Sequence, residues 1–183
     1  MLHPMSARSP IPGAATSTRA IVSRSHAILN APMPDDFHFM QFALDEARAS
    51  AEAGEVPIGA VLVHNEQILA QSGNRTIRDN DPTAHAEIVA IREASHALGN
   101  YRLADTTLYV TVEPCAMCAG AIIQARIPRL VYAADDPKGG AFRSCFEILT
   151  SSKLNHRVDV TSGILATDSA SLLQSFFSSR RAK

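Results

Sequence analysis

The stretch "TTLYVTVEPCAMCAG" (106–120) runs from strand-type sequence directly into a pair of cysteines. Its first half, "TTLYVTV" (106–112), is rich in β-branched and aromatic residues, which predicts a strand. A helix is predicted from Cys115 to Ala125, and the apolar run that follows at 129–134 predicts another strand. A helix between two strands is typical of a sheet that is covered by helices.

The rest of the sequence extends this alternation in both directions. The other predicted elements are a helix from Asp35 or Asp36 up to Gly54, strands at 58–63 and 67–71, a helix at about 83–98, a strand at 156–161 and a helix at 167–181. On the first helix, the apolar face is expected to carry Phe37, Met40, Leu44 and Ala47. The order predicts an α/β fold, a three-layer α/β/α sandwich around a five-stranded mixed sheet.

The first 34 residues differ in composition from everything that follows. They are rich in Ser, Ala and Pro, and they contain Arg8, Arg19 and Arg24 but no acidic residue. This composition predicts a disordered N-terminal extension over residues 1–34. An upstream start codon, with Met33 as the working start, and an organelle-targeting segment are the alternatives. One folded domain is expected over residues 35–183.

Charge, hydropathy and cysteine content limit the possible functions. All 18 acidic residues lie after residue 34, which argues against a broad nucleic-acid-binding surface but leaves room for a small basic patch. No apolar run approaches the roughly 18 residues of a membrane span. Three cysteines are too few for a disulfide scaffold, so we expect a cytoplasmic protein whose CxxC serves metal or redox chemistry.

A partner for the two cysteines lies about 30 residues upstream, in "DPTAHAEIVAIREA" (81–94). Cys115 and Cys118 have the i, i+3 spacing that places two side chains on one helix face. A helix N-terminus favours the thiolate form that binds metal. His85, at the start of the other predicted helix, is therefore the candidate for a third ligand.

Glu87 decides which kind of metal site this is. Residues i and i+2 of a helix point in nearly opposite directions, so Glu87 is not expected to share a metal with His85. A carboxylate beside the metal suits a proton carrier that acts on metal-bound water. Three protein ligands also leave the fourth position of a zinc site open, as in catalytic sites. We therefore predict a catalytic zinc.

Two other interpretations of the CxxC compete with this one. The first is a redox pair, although the surrounding elements are not those of a thioredoxin-type protein. The second is a structural zinc, whose fourth ligand would have to be one of Cys145, His64, His96 or His156. None of these has paired spacing, and Cys145, His64 and His96 are interpreted as ordinary residues.

"HAE", followed after 26 residues by "PCAMC", is similar to the signature of zinc-dependent nucleoside and nucleobase deaminases. The flanking segments "GNRTIRDNDPTAHAEIVAIREA", "DDPKGGA", "LNHRVDVTSGIL" and "LLQSFFSSRR" resemble the bacterial tRNA-specific adenosine deaminases. The resemblance covers roughly residues 37 to 181. It implies a cytidine deaminase-like fold and a homodimer with one zinc per subunit. The implied reaction is hydrolysis of the wobble adenosine of an arginine tRNA to inosine, a form of RNA editing by zinc-activated water.

The resemblance also implies roles for individual residues. It makes His85, Cys115 and Cys118 the zinc ligands and Glu87 the proton shuttle. It further implies that Asn74 holds the flipped base, that Asp136, Lys138 and Asn155 lie along the RNA path, and that Phe176, Phe177, Arg180 and Arg181 flank the anticodon loop. Phe142 and Arg143 depart from the small residues expected after "DDPKGGA".

Several of these positions have simpler interpretations when judged from the pattern alone. Asn74 and Asp136 also suit turns, and the pattern favours core positions for Phe176 and Phe177. Two rival functions are retained: a deaminase of a free base or nucleoside, of guanine or cytosine type, and a non-enzymatic zinc module that binds RNA or protein. The second rival would need a filled fourth coordination site and would have no use for Glu87.

Overall fold

The computed structural model describes residues 35–181. Their elements, in chain order, are α1 (Asp36–Glu52), β1 (Gly59–His64), β2 (Gln67–Gly73), α2 (Ala86–Leu98), β3 (Thr106–Val112), α3 (Ala116–Gln124), β4 (Arg129–Ala134), β5 (Asp159–Ser162) and α4 (Ala166–Arg181). The extension predicted for residues 1–34 lies outside the described residues. No helix in the described part of the chain is long and apolar enough to cross a membrane.

The five strands form one mixed sheet in the order β2-β1-β3-β4-β5. β1 runs antiparallel to both β2 and β3, whereas β3, β4 and β5 are mutually parallel. The predicted α/β class and five-stranded mixed sheet are confirmed. Because β3 and β4 are parallel, the segments that leave their carboxyl ends emerge at the same edge of the sheet.

Alternate residues of the strands enter two separate cores. Leu62 and Leu108 face α2 and α3, whereas Val61 and Tyr109 face α1. This alternation follows from the two-residue repeat of a strand, and it explains why the central strands are apolar on both faces. α4 contacts α1, β3 and β4. Helices therefore cover both faces of the sheet, which confirms the three layers.

The start of α1 differs from the prediction. Asp35 occupies the N-cap position but makes no side-chain capping bond. Asp36 is fully buried and accepts hydrogen bonds from both terminal nitrogens of Arg129, at 2.8 Å each, and from the Tyr109 hydroxyl at 3.0 Å. Asp36 therefore joins α1 to the sheet instead of capping the helix. Phe37, which was predicted on the apolar face, is 55% exposed, and Phe39 packs into the core beside Met40.

Two element boundaries lie later than predicted. α2 begins at Ala86 and not near Thr83, because the Asp81 carboxylate accepts hydrogen bonds from both the backbone N–H and the hydroxyl of Thr83 and so forms a turn there. β5 begins at Asp159 and not at 156. The His156 ring instead hydrogen-bonds the Ile127 carbonyl at 2.8 Å, ahead of β4.

Candidate metal centre

Three side chains with metal-binding atoms meet where α2 and α3 begin. His85 and Cys115 occupy the N-cap positions of α2 and α3, and Cys118 lies in the first turn of α3. Neither N-cap side chain bonds to its own helix. The Nδ1 atom of His85 lies 3.7 Å from the Cys115 sulfur and 3.6 Å from the Cys118 sulfur. The ligand atoms of all three residues lie within 4.8 Å of one another.

These distances fit a tetrahedral zinc ion. With Zn–S near 2.3 Å and Zn–N near 2.0–2.1 Å, tetrahedral angles place N and S ligands about 3.6 Å apart. The observed Nδ1–Sγ distances agree with this value. Within residues 35–181 the group has three members only, and Cys145, His64, His96 and His156 do not belong to it. The residues present therefore fit a zinc site whose fourth position is free of protein ligands.

The three side chains also shift one another's pKa values. Hydrogen bonds from Cys118 and His85 to the Cys115 sulfur lower the pKa of Cys115 to about 3. The pKa of Cys118 is raised, because it shares its proton with Cys115 and because it is buried. The hydrogen bond to Cys115 raises the pKa of His85. One thiolate is thus already favoured without a metal, and a divalent cation would displace the remaining protons.

Glu87 lies beside this group but does not belong to it. Its side chain is 4% exposed, in the first turn of α2. Burial raises the pKa of its carboxyl group, and its neighbours include His85, Cys115 and Cys118. A desolvated carboxyl group next to a metal position can take up a proton and release it again.

Asn74, at the end of β2, is buried and is fixed to the start of α2. Its Oδ1 atom accepts a hydrogen bond of 2.9 Å from the backbone N–H of Ala86, and its own N–H bonds to the Ile58 carbonyl. The side-chain carbonyl therefore satisfies one N–H at the helix start. The Nδ2 group remains the donor that can contact a ligand beside His85.

Known proteins that are similar to this chain are deaminases, which agrees with the geometry of the candidate metal centre. A family model described as MafB19-like deaminase matches residues 34–181. A tRNA-specific adenosine deaminase of Agrobacterium fabrum is 52% identical over 149 residues, which are 81% of this chain and 98% of that protein. The chain belongs to the tRNA-specific adenosine deaminase family.

Solved structures show the same fold. A structure from studies of A-to-I editing by tRNA:A34 deaminases, at the wobble position of transfer RNA, is 54% identical. It superposes with a TM-score of 0.73 and covers 74% of this chain and 99% of that one. A guanine deaminase from Nitrosomonas europaea is 25% identical, with a TM-score of 0.68 and coverage of 81% and 86%. The cytidine deaminase-like fold is therefore confirmed.

A loop of residues 135–145 follows β4 and contacts the segment that leads into α3. The backbone N–H of Gly140 donates a hydrogen bond to the Asp136 carbonyl and so closes a turn, and the N–H of Ala141 donates to the Pro114 carbonyl, at 2.9 Å each. Gly140 also forms an isolated antiparallel bridge with Cys115. The loop is thus attached to the chain segment that carries a candidate metal ligand. This loop is called the 135–145 loop below.

Sequence reasoning missed the residue that organises this loop. Glu113 is buried at the end of β3, and its carboxylate accepts hydrogen bonds from the backbone N–H groups of Asp136, Phe142, Arg143 and Ser144 and from the Ser144 hydroxyl. Its partners lie 23 to 31 residues further along the chain. An acidic residue after a strand is usually solvated, so no local signal pointed to it.

A second buried carboxylate, also missed, holds the segment after Asn74. Glu55 accepts hydrogen bonds from the Ile77 N–H at 2.9 Å, the Arg78 N–H at 2.7 Å and the Thr76 hydroxyl at 3.1 Å. The signal that could have found it is its position directly after Gly54, which ends α1 with a positive φ of 84°. Two loop segments are therefore each held by backbone N–H groups that converge on one carboxylate: residues 76–78 on Glu55 and the 135–145 loop on Glu113.

Of the residues expected along the RNA path, Asp136 and Lys138 lie in the 135–145 loop, whereas Asn155 lies beside Arg126, ahead of β4 and β5 and so at the opposite edge of the sheet. Asp136 accepts a hydrogen bond of 3.0 Å from the backbone N–H of Lys138, which is turn chemistry. Asn155 is exposed and accepts a hydrogen bond of 2.7 Å from Arg126. Phe142 is buried against Tyr132, and Arg143 pairs with Asp135 at 2.9 Å. Phe142 and Arg143, which depart from the small residues expected at these positions, thus stabilise the loop through these contacts.

The last helix places its aromatic residues near the segment after α1. Arg180 donates a hydrogen bond of 2.5 Å to the Gly54 carbonyl, and its guanidinium lies 5.0 Å from the centre of the Phe176 ring. The Phe176 and Phe177 rings pack edge-to-face, with their ring centres 5.5 Å apart. The pattern alone favoured core positions for both rings, but this is wrong for Phe177, which is 45% exposed. Arg181 is also exposed.

Proposed function

We propose that this deaminase hydrolyses the wobble adenosine in the anticodon loop of an arginine tRNA, which gives inosine and ammonia. The observation that carries the proposal is a buried, non-ligating carboxylate, Glu87, beside a group of three candidate metal ligands. The family to which the chain belongs supports RNA as the substrate, because relatives about 50% identical are named for tRNA.

His85, Cys115 and Cys118 would hold one zinc ion per subunit. When bound, zinc lowers the pKa of water and so supplies a nucleophile at neutral pH. Two thiolates and one neutral imidazole cancel the charge of the ion, which leaves it a weaker Lewis acid than a site of three histidines. This chain therefore needs a base close to the metal centre.

Glu87 is the residue that meets this need. Its carboxylate would take the proton that the nucleophile loses, pass a proton to the adenine ring, and then assist the departure of ammonia. Its burial is consistent with this role, because burial raises the pKa of the carboxyl group towards neutral pH. A group with such a pKa both takes up and releases a proton readily. Its fixed position in the first turn of α2 holds it next to His85.

Asn74 would position the base. Because its Oδ1 atom is occupied by the N–H of Ala86, the contact to the adenine edge would come from Nδ2 donating to a ring nitrogen. The target nucleotide has to leave its stack, which costs little in an anticodon loop whose bases are not paired.

The RNA backbone and flanking bases would lie along the 135–145 loop and the end of α4. Lys138 and Arg180 offer positive charge, and the exposed ring of Phe177 offers a stacking surface. Asp136 would act indirectly by shaping the turn that presents Lys138. Asn155, at the opposite edge of the sheet beside Arg126, would contribute an exposed amide only to a more distant part of the RNA. A compact path of this kind agrees with the acidic excess of the remaining surface.

A homodimer is part of the proposal. Support comes from α3, whose outward face is uncharged and partly apolar, with Met117 36% exposed next to the exposed Ala116. Light scattering that finds only monomer at micromolar concentration would remove this part. A cytoplasmic location stays a prediction from the sequence.

The alternative function is deamination of a free base, of guanine type. The likeness to the Nitrosomonas europaea guanine deaminase is the specific observation in its favour. At 25% identity it is much weaker than the likeness to the tRNA:A34 deaminase structure. A cytosine substrate stays a prediction from the sequence.

The deciding experiment offers the purified chain a synthetic arginine-tRNA anticodon stem-loop and reads inosine by mass spectrometry. Free adenosine, guanine and cytidine run in parallel, and Glu87→Ala is the matched control. Inosine at the wobble position, absent in the control, supports the proposal. Release of ammonia from free guanine, with no inosine formed in the RNA, would contradict the proposal and support deamination of a free base instead.

A further inference from the structure

We infer that Glu113 is a positioning residue for RNA: its carboxylate holds the 135–145 loop in the shape that receives the anticodon stem-loop. The inference rests on the proposed function, since it concerns how that substrate is bound. It assigns no proton transfer and no metal contact to Glu113.

The hydrogen bonds of Glu113 are arranged like those of a bound anion. Its Oε1 atom accepts from the backbone N–H groups of Phe142, Arg143 and Ser144, at 2.9, 2.9 and 3.1 Å. Its Oε2 atom accepts from the Asp136 N–H at 3.2 Å and from the Ser144 hydroxyl. Successive N–H groups that point inward make a nest for negative charge. Here the protein fills that nest with its own side chain.

The close fit of the loop around this carboxylate explains why residue 140 is glycine. A Cβ atom at Gly140 would lie 2.3 Å from the carboxyl carbon of Glu113, which is far below contact distance. The chain therefore combines a carboxylate at 113 with the one residue type that lets the loop approach it.

The carboxylate has no capacity left for chemistry. An ionised carboxyl group has about four lone-pair sites, and Glu113 already has five donors around it. It also lies outside the group of candidate metal ligands, although Cys115 is two residues away. A role in holding the loop is the one that its contacts support.

The part of the loop that Glu113 holds connects the candidate metal centre to the proposed RNA path. At one end, Gly140 bridges to Cys115. At the other end, the N–H of Asp136 bonds to Glu113, and the Asp136 side chain shapes the turn that contains Lys138. Loss of the hydrogen bonds between Glu113 and the loop would therefore disturb the RNA-facing turn, whereas the three candidate metal ligands, His85, Cys115 and Cys118, would all remain in place.

The test compares Glu113→Gln with the unmodified full-length protein. The substitution keeps the size of the side chain but replaces one carboxylate oxygen by an NH2 group. Because both oxygens face donors, this NH2 group meets N–H or O–H groups whichever oxygen it replaces. We expect KM for the anticodon stem-loop to rise about tenfold, kcat to change less than about threefold, and zinc content to stay the same.

Two further variants make the result unambiguous. Ser144→Ala removes only the hydroxyl donor, so it should fold and should raise KM in the same direction by a smaller factor, about twofold to threefold. Asp36→Asn disturbs a buried carboxylate at the opposite end of β4 from the loop, and it should lower the melting temperature without changing KM.

Four results would overturn the inference. They are a fall in kcat at unchanged KM, unchanged kinetics in both Glu113→Gln and Ser144→Ala, loss of zinc in Glu113→Gln, and a KM rise of equal size in Asp36→Asn. Failure of the proposed function is seen separately, because the unmodified protein would then form no inosine in the stem-loop, and the inference would fall with it.

Discussion

Replacement of Glu87 by glutamine is the sharpest perturbation of the proposed mechanism. The change keeps the shape of the side chain but removes its ability to exchange a proton. Glu87 is buried and is not among the three candidate ligands, so neither packing nor metal content should change. General acid–base catalysis typically contributes about 10²- to 10⁴-fold. We therefore expect kcat to fall by that factor, which corresponds to about 2.7 to 5.4 kcal/mol of lost transition-state stabilisation.

The assay is single-turnover conversion of the anticodon stem-loop, with inosine measured by mass spectrometry and zinc by elemental analysis of the same sample. Because the substitution also removes a buried charge whose pKa is raised by desolvation, the melting temperature should stay equal or rise. Turnover within tenfold of the unmodified protein would refute the assignment of Glu87 as proton carrier. Loss of zinc would refute its placement outside the ligand group.

Three other outcomes are expected. Cys118→Ser should lose zinc and turnover together, whereas Cys145→Ser, which changes a cysteine outside the ligand group, should keep both in elemental analysis and the inosine assay. Asp36→Ala should lower the free energy of unfolding by about 3–5 kcal/mol in urea titrations, because it leaves Arg129 as a mostly buried, unpaired charge; a loss below 1 kcal/mol would contradict this. Phe177→Ala should weaken stem-loop binding by about 1–3 kcal/mol in an equilibrium titration while the melting temperature changes little, and unchanged affinity would remove this ring from the RNA path.

The fold and the meeting of His85, Cys115 and Cys118 could be predicted because each depends on local signals. The strands at 106–112 and 129–134 are rich in β-branched, aromatic and small apolar residues with almost no charge, as expected for strands that are buried on both faces. His85 and Cys115 each stand where a helix begins, and helix starts have recognisable sequence signals. Two helix starts at the same edge of the sheet then bring ligands 30 residues apart into contact.

The buried carboxylates could not be predicted, because their partners are distant backbone groups. Nothing near Glu113 in sequence shows that four N–H groups from beyond β4 converge on it. The same holds for Asp36, which resembled a helix cap but pairs with Arg129, 93 residues away. A charged residue is assumed to be solvated unless a partner is visible, and these partners become visible only when the sheet has assembled.

From this division between local and distant signals we expect the two halves of the proposed site to differ in how they tolerate substitutions. The candidate metal ligands and Glu87 lie at the starts of two helices whose inner faces belong to one core, so their relative positions depend on many buried contacts. The turn at Lys138, which we propose to face RNA, depends instead on a few contacts within one loop, chiefly those of Glu113 and Gly140. We therefore expect substitutions in the 135–145 loop, such as those at Phe142 and Arg143, to alter how RNA is bound while the candidate metal centre stays intact. We expect differences in RNA preference between relatives to arise in this loop, and exchange of residues 141–144 for those of the Agrobacterium fabrum relative should change KM for different anticodon stem-loops more than it changes kcat.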